Sequence, residues 1–218
     1  MPVIFSIPSP FRSSFELHRL EFGEAHPDFP TVAIIAGLHG NELNGIHAIN
    51  LLASVLRLQR IKGKVLLYPI INTFGADECR KRWPFENQDI NSIFPGNPRG
   101  TTAERIAYAL YESIAEAQIC IDVHSGASHV RELPQARTPM TGIELEYARD
   151  MGMPVIWRRS GEHLLQYFLM LQTPLQRRLP NHQPFRLELI FGYSFASWMK
   201  IFFAKVSFLS LWFSLTSV

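Results

Sequence analysis

Three short apolar runs, separated by stretches with helical spacing, constrain this chain more than anything else in it. Residues 31–37 read TVAIIAG, a β-branched run with no polar alternation that ends on glycine, as expected of a strand buried on both faces. Residues 64–71 (KVLLYPII) and 118–123 (QICIDV) have the same character. Between the first two runs, Leu43, Ile46, Ala48, Leu51, Leu52, Val55 and Leu56 recur at helical intervals. They predict a helix over residues 41–58, with Asn41 or a neighbour as its cap. Before the third run, Thr101-x-x-Glu104 is a capping-box pattern, and Ile106, Ala109, Leu110 and Ile114 then mark one helix face. A further helix is expected over residues 144–151 and a short strand over 154–157. The order β-α-β-loop-α-β-α-β predicts an α/β fold: a mostly parallel or mixed sheet with helices on both faces. Residues 72–100, rich in Pro, Gly and Asn, show no period, and a loop of that length in a compact domain is usually functional.

Composition narrows the class. With 47% hydrophobic and 18% charged residues, a sizeable core is available and wholesale disorder is not expected. A net charge of +2 and no basic run beyond Arg80-Lys81-Arg82 argue against a nucleic-acid partner. Two distant cysteines, Cys79 and Cys120, form no disulfide framework. The amino-terminal stretch lacks a basic segment and is interrupted by prolines, unlike a secretory signal. These features lead to the expectation of a cytoplasmic protein. Residues 201–218 are apolar, but their length is at the lower limit for a span and Lys205 lies inside, so a membrane partner is not expected.

On this map, His39 and Glu42 lie just past the first strand, Asn72 just past the second, and Asp122 and His124 at the end of the third. Ligands of open parallel sheets bind outside the carboxyl ends of the strands, so three segments deliver polar side chains to one edge. His39-x-x-Glu42 with a distant His124 suits a catalytic zinc, which takes three His/carboxylate ligands and keeps one open position. Gly37 and Gly40 flank His39 and would allow a tight turn. Asp122 shares a strand face with His124 and could orient it. Taken singly, H-x-x-E occurs by chance, a lone histidine is more often structural, and a lone aspartate can cap a strand end. It is their convergence that points to a metal.

Three blocks, AGLHGNELNG (residues 36–45), NTFGADECRKRWPFENQDINSIFPGN (72–97) and IDVHSG (121–126), resemble the aspartoacylase/succinylglutamate desuccinylase family. This is a branch of the zinc carboxypeptidase-like hydrolases, and the resemblance covers residues 30–160. It implies one zinc per chain, held by His39, Glu42 and His124. It also implies that Arg82 polarises the scissile carbonyl and that Asn91 contacts the substrate carboxylate. The expected function is zinc-dependent cleavage of an amide bond in a small N-acylated amino acid. Alternatives are a carboxypeptidase acting on peptides, and a zinc-binding remnant without catalysis.

Two departures accompany the resemblance. At Asp89-Ile90-Asn91-Ser92, Ser92 stands where the family usually has arginine, so no guanidinium fork is available there for a substrate carboxylate. The second departure is the remainder, residues 161–218, which matches poorly, whereas residues 1–160 are expected to form the catalytic domain. In that remainder, Glu188 falls on the polar side of FRLELIF, at a separation from His124 similar to that of the family's general base. An ordinary exposed strand carboxylate fits the same alternation. No counterpart of the family's smaller carboxy-terminal β domain is visible. The change in composition near residue 161 has the character of a frameshifted or truncated reading frame.

Overall fold

The computed structural model describes residues 1–9, 13–126, 133–139, 143–150, 153–159 and 185–191. In chain order these hold β1 (Val3–Ile7), β2 (Phe15–His18), β3 (Leu20–Gly23), β4 (Thr31–Ala36), α1 (Leu43–Leu56), β5 (Lys64–Tyr68), α2 (Thr73–Asp77), a 3-10 turn (Ile90–Ser92) and α3 (Thr102–Ile114). They continue with β6 (Ile119–Ser125), β7 (Gln135–Pro139), α4 (Ile143–Asp150), β8 (Val155–Arg159) and β9 (Phe185–Phe191). Strands β1 and β2 pair antiparallel as a separate ribbon. The other seven form one sheet in the order β3-β5-β4-β6-β9-β7-β8. Its centre is parallel (β5, β4, β6, β9), while β3 and β7 run antiparallel to their neighbours β5 and β9.

The unbroken apolar character of β4 follows from its central place: all six residues are buried. Val32, Ile34 and Ala36 face one core with Ala48, Ile49, Leu52, Ala53 and Leu56 of α1. Ala33 and Ile35 face the other core, with Ala103, Ile106, Ala107 and Leu110 of α3. Helices thus cover both faces, as expected. Truncating a side chain such as Leu52, 1% exposed, would cost about 2–5 kcal/mol.

The structure adjusts several expectations. Helix α1 is shorter than residues 41–58, and its N-cap is Glu42, the neighbour of Asn41, with no side-chain cap hydrogen bond. The Glu42 carboxylate is engaged elsewhere. The capping box at Thr101 and Glu104 forms in full. Strand β6 runs two residues past Val123, which places Asp122 and His124 on one continuous strand face. Residues 72–100 are not featureless: they contain α2 and the 3-10 turn, and Trp83 and Ile90 are fully buried in the α3 core. Strands β1 to β3 and β7 were not anticipated: each is only four or five residues long, and none is an unbroken apolar run like that of β4. Among the described residues no helix is long and apolar enough to cross a membrane. The apolar stretch 201–218 lies outside the described residues.

Candidate metal centre

The chain leaves β4 through Gly37, whose φ of +65° lies in the left-handed region that glycine enters without strain. Gly40 serves a different end. A Cβ there would stand 2.1 Å from the carbonyl carbon of Gly75, so only glycine lets this turn pack directly against α2. His39, between these glycines, and Glu42, at the mouth of α1, are thereby presented at the carboxyl edge of the sheet. His124 arrives from the end of the neighbouring strand β6.

The three side chains converge: their ligand atoms all lie within 4.8 Å of one another. Glu42 Oε1 is 2.7 Å from His39 Nδ1, and Glu42 Oε2 is 2.9 Å from His124 Nδ1. The Ser125 backbone N–H also donates to Oε2 at 3.0 Å, which fixes the plane of the carboxylate. The two imidazole rings stand 5.0 Å apart. Each histidine has its far nitrogen engaged by a carboxylate. His124 Nε2 lies 2.9 Å from Asp122 Oδ2, and His39 Nε2 lies 3.1 Å from Asp89 Oδ1. A carboxylate on Nε2 keeps the proton there and turns Nδ1 toward the shared centre, as ligating histidines require.

The electrostatics agree with a site built for positive charge. Burial opposes ionisation of Glu42, but hydrogen bonds and charge from His124 and His39 outweigh it and hold the carboxyl at about 2. Burial likewise opposes protonation of His124, yet Asp122 and then Glu42 raise it to about 10. His39 is raised in the same way, against its burial, by Asp89 and Glu42. Asp89 is held well below the carboxylate range: burial raises it, and His39 followed by Lys81 lower it by more. Three carboxylates surround the two buried imidazoles, and the donor set of two histidines and one carboxylate is one that zinc takes. The residues present fit the ion.

The other expected residues are placed as follows. Arg82 is exposed on the loop after α2 and donates from Nη1 to the Asn87 carbonyl at 3.0 Å. Asn91 sits in the 3-10 turn, its backbone N–H donating to Asp89 Oδ1 at 3.1 Å. Ser92 donates its hydroxyl back to the Asp89 carbonyl at 2.8 Å. Glu188 lies on β9 in register with Asp122, one pleat before the pair His124 and Ile190; its side chain lies outside the described residues. Asn72 belongs to the scaffold rather than the centre. Fully buried, it accepts from Gly75 N–H at 2.9 Å and donates to the Lys81 carbonyl at 3.1 Å. Sequence reasoning missed Asp89 as the partner of His39. The residue lay inside a quoted motif, but only the fold shows that its loop returns to the first strand end.

Comparisons with known proteins bear on the family and the fold. The profile described as "Succinylglutamate desuccinylase/Aspartoacylase catalytic domain" matches residues 28–168. The N-alpha-acetyl-L-2,4-diaminobutyric acid deacetylase of Halomonas elongata is 33% identical over 108 residues, covering 49% of this chain and 32% of that protein. The match spans about a third of that relative's length. The crystal structure of a succinylglutamate desuccinylase/aspartoacylase from Rhodobacter sphaeroides superposes with a TM-score of 0.73 at 22% identity, covering 94% of this chain and 62% of the other. The product-bound ectoine utilization protein EutE (DoeB) from Ruegeria pomeroyi does so with a TM-score of 0.73 at 17% identity, covering 93% and 62%. At these identities the two structures speak to the fold, which is zinc carboxypeptidase-like. With the family profile matched over more than half its length, the chain belongs to the succinylglutamate desuccinylase/aspartoacylase catalytic-domain family.

Proposed function

We propose that this chain carries the centre of a zinc-dependent deacylase that hydrolyses the amide bond of a small N-acylated amino acid. The observation that supports it most is the pair of buried histidines. Both turn Nδ1 onto one carboxylate while a second carboxylate holds each Nε2. The deacetylase similarity over 108 residues supports the substrate class. In this reading residues 1–160 form the catalytic domain, and residues 161–218 hold a poorly matched remainder of it and the apolar tail.

His39, Glu42 and His124 would hold one zinc ion, with Asp89 and Asp122 fixing the two rings. Bound zinc supplies Lewis acidity, polarising the amide carbonyl and acidifying water. Arg82 offers its remaining N–H groups to the carbonyl oxygen as negative charge develops there. Asn91 is assigned to the substrate carboxylate. Glu188 is assigned as general base: it accepts a proton from the attacking water and delivers it to the departing nitrogen. The water oxygen bonds to the acyl carbon, the C–N bond breaks, and the products are a carboxylate and a free amine.

The test is release of free amine by the zinc-loaded protein from a panel of N-acetylated and N-succinylated amino acids, run beside short peptides. Turnover of the acyl amino acids is expected. Preferential release of carboxy-terminal residues from peptides would replace this reading with a carboxypeptidase. Stoichiometric zinc with no turnover on either panel would replace it with a catalytically silent remnant.

A further inference from the structure

The loop from Arg82 to Asp89 carries a proposed catalytic residue at one end and the partner of His39 at the other. Trp83 and Gln88 close it through an antiparallel bridge, with Trp83 N–H donating to the Gln88 carbonyl at 2.8 Å. Trp83 and Ile90 are buried against α3 and anchor the two ends of the segment. At the tip Phe85 is 67% exposed, although its ring meets Phe74 edge-on at 5.1 Å between centroids and lies 5.8 Å from Trp83. The ties from the tip to α3 are polar. Glu86 Oε1 accepts the backbone N–H of Thr102 at 2.9 Å, and Gln88 Oε1 accepts the Thr101 hydroxyl at 2.5 Å.

Thr102 is the first residue of α3, and its N–H is one of the donors that a helix start leaves without an intrahelical acceptor. The capping box serves Glu104 N–H through Thr101 and Thr101 N–H through Glu104. It does not serve Thr102. The Thr102 donor is satisfied from a loop 16 residues upstream, by a carboxylate at the positive end of the helix. The second oxygen, Glu86 Oε2, is buried and meets no hydrogen-bond donor. A surface carboxylate serving solubility would not be buried half-satisfied, because that carries a desolvation cost. Within the stapled tip, Asn87 adopts a φ of +52°, and its carbonyl holds the Arg82 guanidinium.

We propose that Glu86 is a positioning residue: it staples the Arg82–Asp89 loop to the first turn of α3 and so sets both the Arg82 guanidinium and the Asp89 carboxylate that orients His39. This rests on the reading of Arg82 and the His39 centre as hydrolytic machinery. It also makes a claim about the loop that stands without turnover.

The test compares Glu86→Ala, Glu86→Gln and Thr102→Pro in the full chain. Glutamine keeps the Oε1 acceptor and gives up no hydrogen bond at the Oε2 position, which meets no donor, so it rescues a staple. Proline at the first helical position is well tolerated and removes the N–H that Glu86 accepts, together with the threonine hydroxyl. Thr101, at φ −59° and ψ 169°, already has the extended conformation that a following proline demands. Glu86→Ala and Thr102→Pro are expected to speed amide exchange across residues 84–88 and to weaken zinc binding several-fold, less than the roughly 10- to 100-fold of losing a direct ligand partner. They should also lower kcat about tenfold or more through misplacement of Arg82, with a smaller change in KM. Glu86→Gln should restore all three. If both disrupting variants lower the melting temperature while exchange, zinc affinity and kcat stay at wild-type values, Glu86 is only a helix cap and the proposal is wrong. Failure of rescue by glutamine overturns it as well. A wild type without turnover overturns the hydrolase reading alone, since exchange and zinc affinity still judge the staple.

Discussion

Glu42 Oε2 and His124 Nδ1 meet at 2.9 Å across 82 residues of sequence, the carboxylate at the mouth of a helix and the ring at the end of a strand. Glu42 occupies the N-cap of α1 yet makes no capping hydrogen bond. A capping side chain is typically worth about 1 kcal/mol to a helix, and here that contribution is forgone in favour of contacts with His39 and His124.

Metal content is the first expectation. The purified protein should carry about one zinc per chain, as a three-ligand site would. His39→Ala or His124→Ala should lose most of it, because two remaining ligands hold the ion poorly and the site is coupled to folding. Elemental analysis of the three proteins decides this; full zinc in both variants would falsify the ligand assignment.

Asp89 and Asp122 should separate by their surroundings. Either change to alanine should weaken zinc about 10- to 100-fold, because the ring it orients is released. Asp122 is fully buried, whereas Asp89 is partly exposed and pairs with Lys81 at 3.2 Å. Asp122→Ala leaves a buried imidazole N–H without an acceptor and should cost a further 1–3 kcal/mol or so of stability. Urea unfolding of the metal-free proteins measures the difference, and equal losses from the two variants would contradict it.

Glu188→Gln should retain zinc and fold while cutting turnover about a hundredfold or more. Register places Glu188 beside Asp122, about 7 Å along the strand from the level of His124. A bridging water would then complete the path. Full activity in this variant moves the base to another residue.

Tyr68 predicts an alkaline limit to stability away from the metal. Burial raises its hydroxyl above the ordinary value near 10, opposed but not cancelled by hydrogen bonds with Ser113 and Arg19. The folded state therefore holds the proton more tightly than the unfolded chain does. That contribution is fully present below the unfolded pKa and is lost as pH rises through the folded one. Tyr68→Phe gives up the hydrogen bond to the Ser113 carbonyl at 3.0 Å, about 1 kcal/mol at neutral pH, but has no proton to lose. Above about pH 10 the gap between the two proteins should narrow. A gap that stays constant with pH would show that Tyr68 does not titrate with unfolding.

Much of the fold could be read locally. The run TVAIIA can be buried only between two layers, the spacing of Leu43, Ile46, Ala48, Leu51, Leu52, Val55 and Leu56 is helical, and Thr101 with Glu104 marks a helix start. His39, Glu42 and His124 were legible because strand ends collect at one edge of a parallel sheet, so residues far apart in sequence can be assigned a common neighbourhood from the pattern alone.

What the pattern could not supply depends on which distant segments become neighbours. Asn72 has the same position relative to its strand as His39 has to its own, yet it turns inward to cap α2 and hold the Lys81 carbonyl. Asp89 sits on an aperiodic loop, and it reaches His39 because that loop packs back on α3 through the buried Trp83 and Ile90. Strand β9, last in sequence, enters the sheet between β6 and β7, a choice set by sheet pairing rather than by its own residues. The sequence by itself therefore determined the types of the central elements β4, α1, β5, α3 and β6, the two-sided core and the three candidate ligands, all of which follow from periodicity and strand order. Tertiary structure alone decided which carboxylate orients which histidine and which polar residues serve the scaffold, because a hydrogen bond depends on a few ångströms of placement that local pattern does not encode.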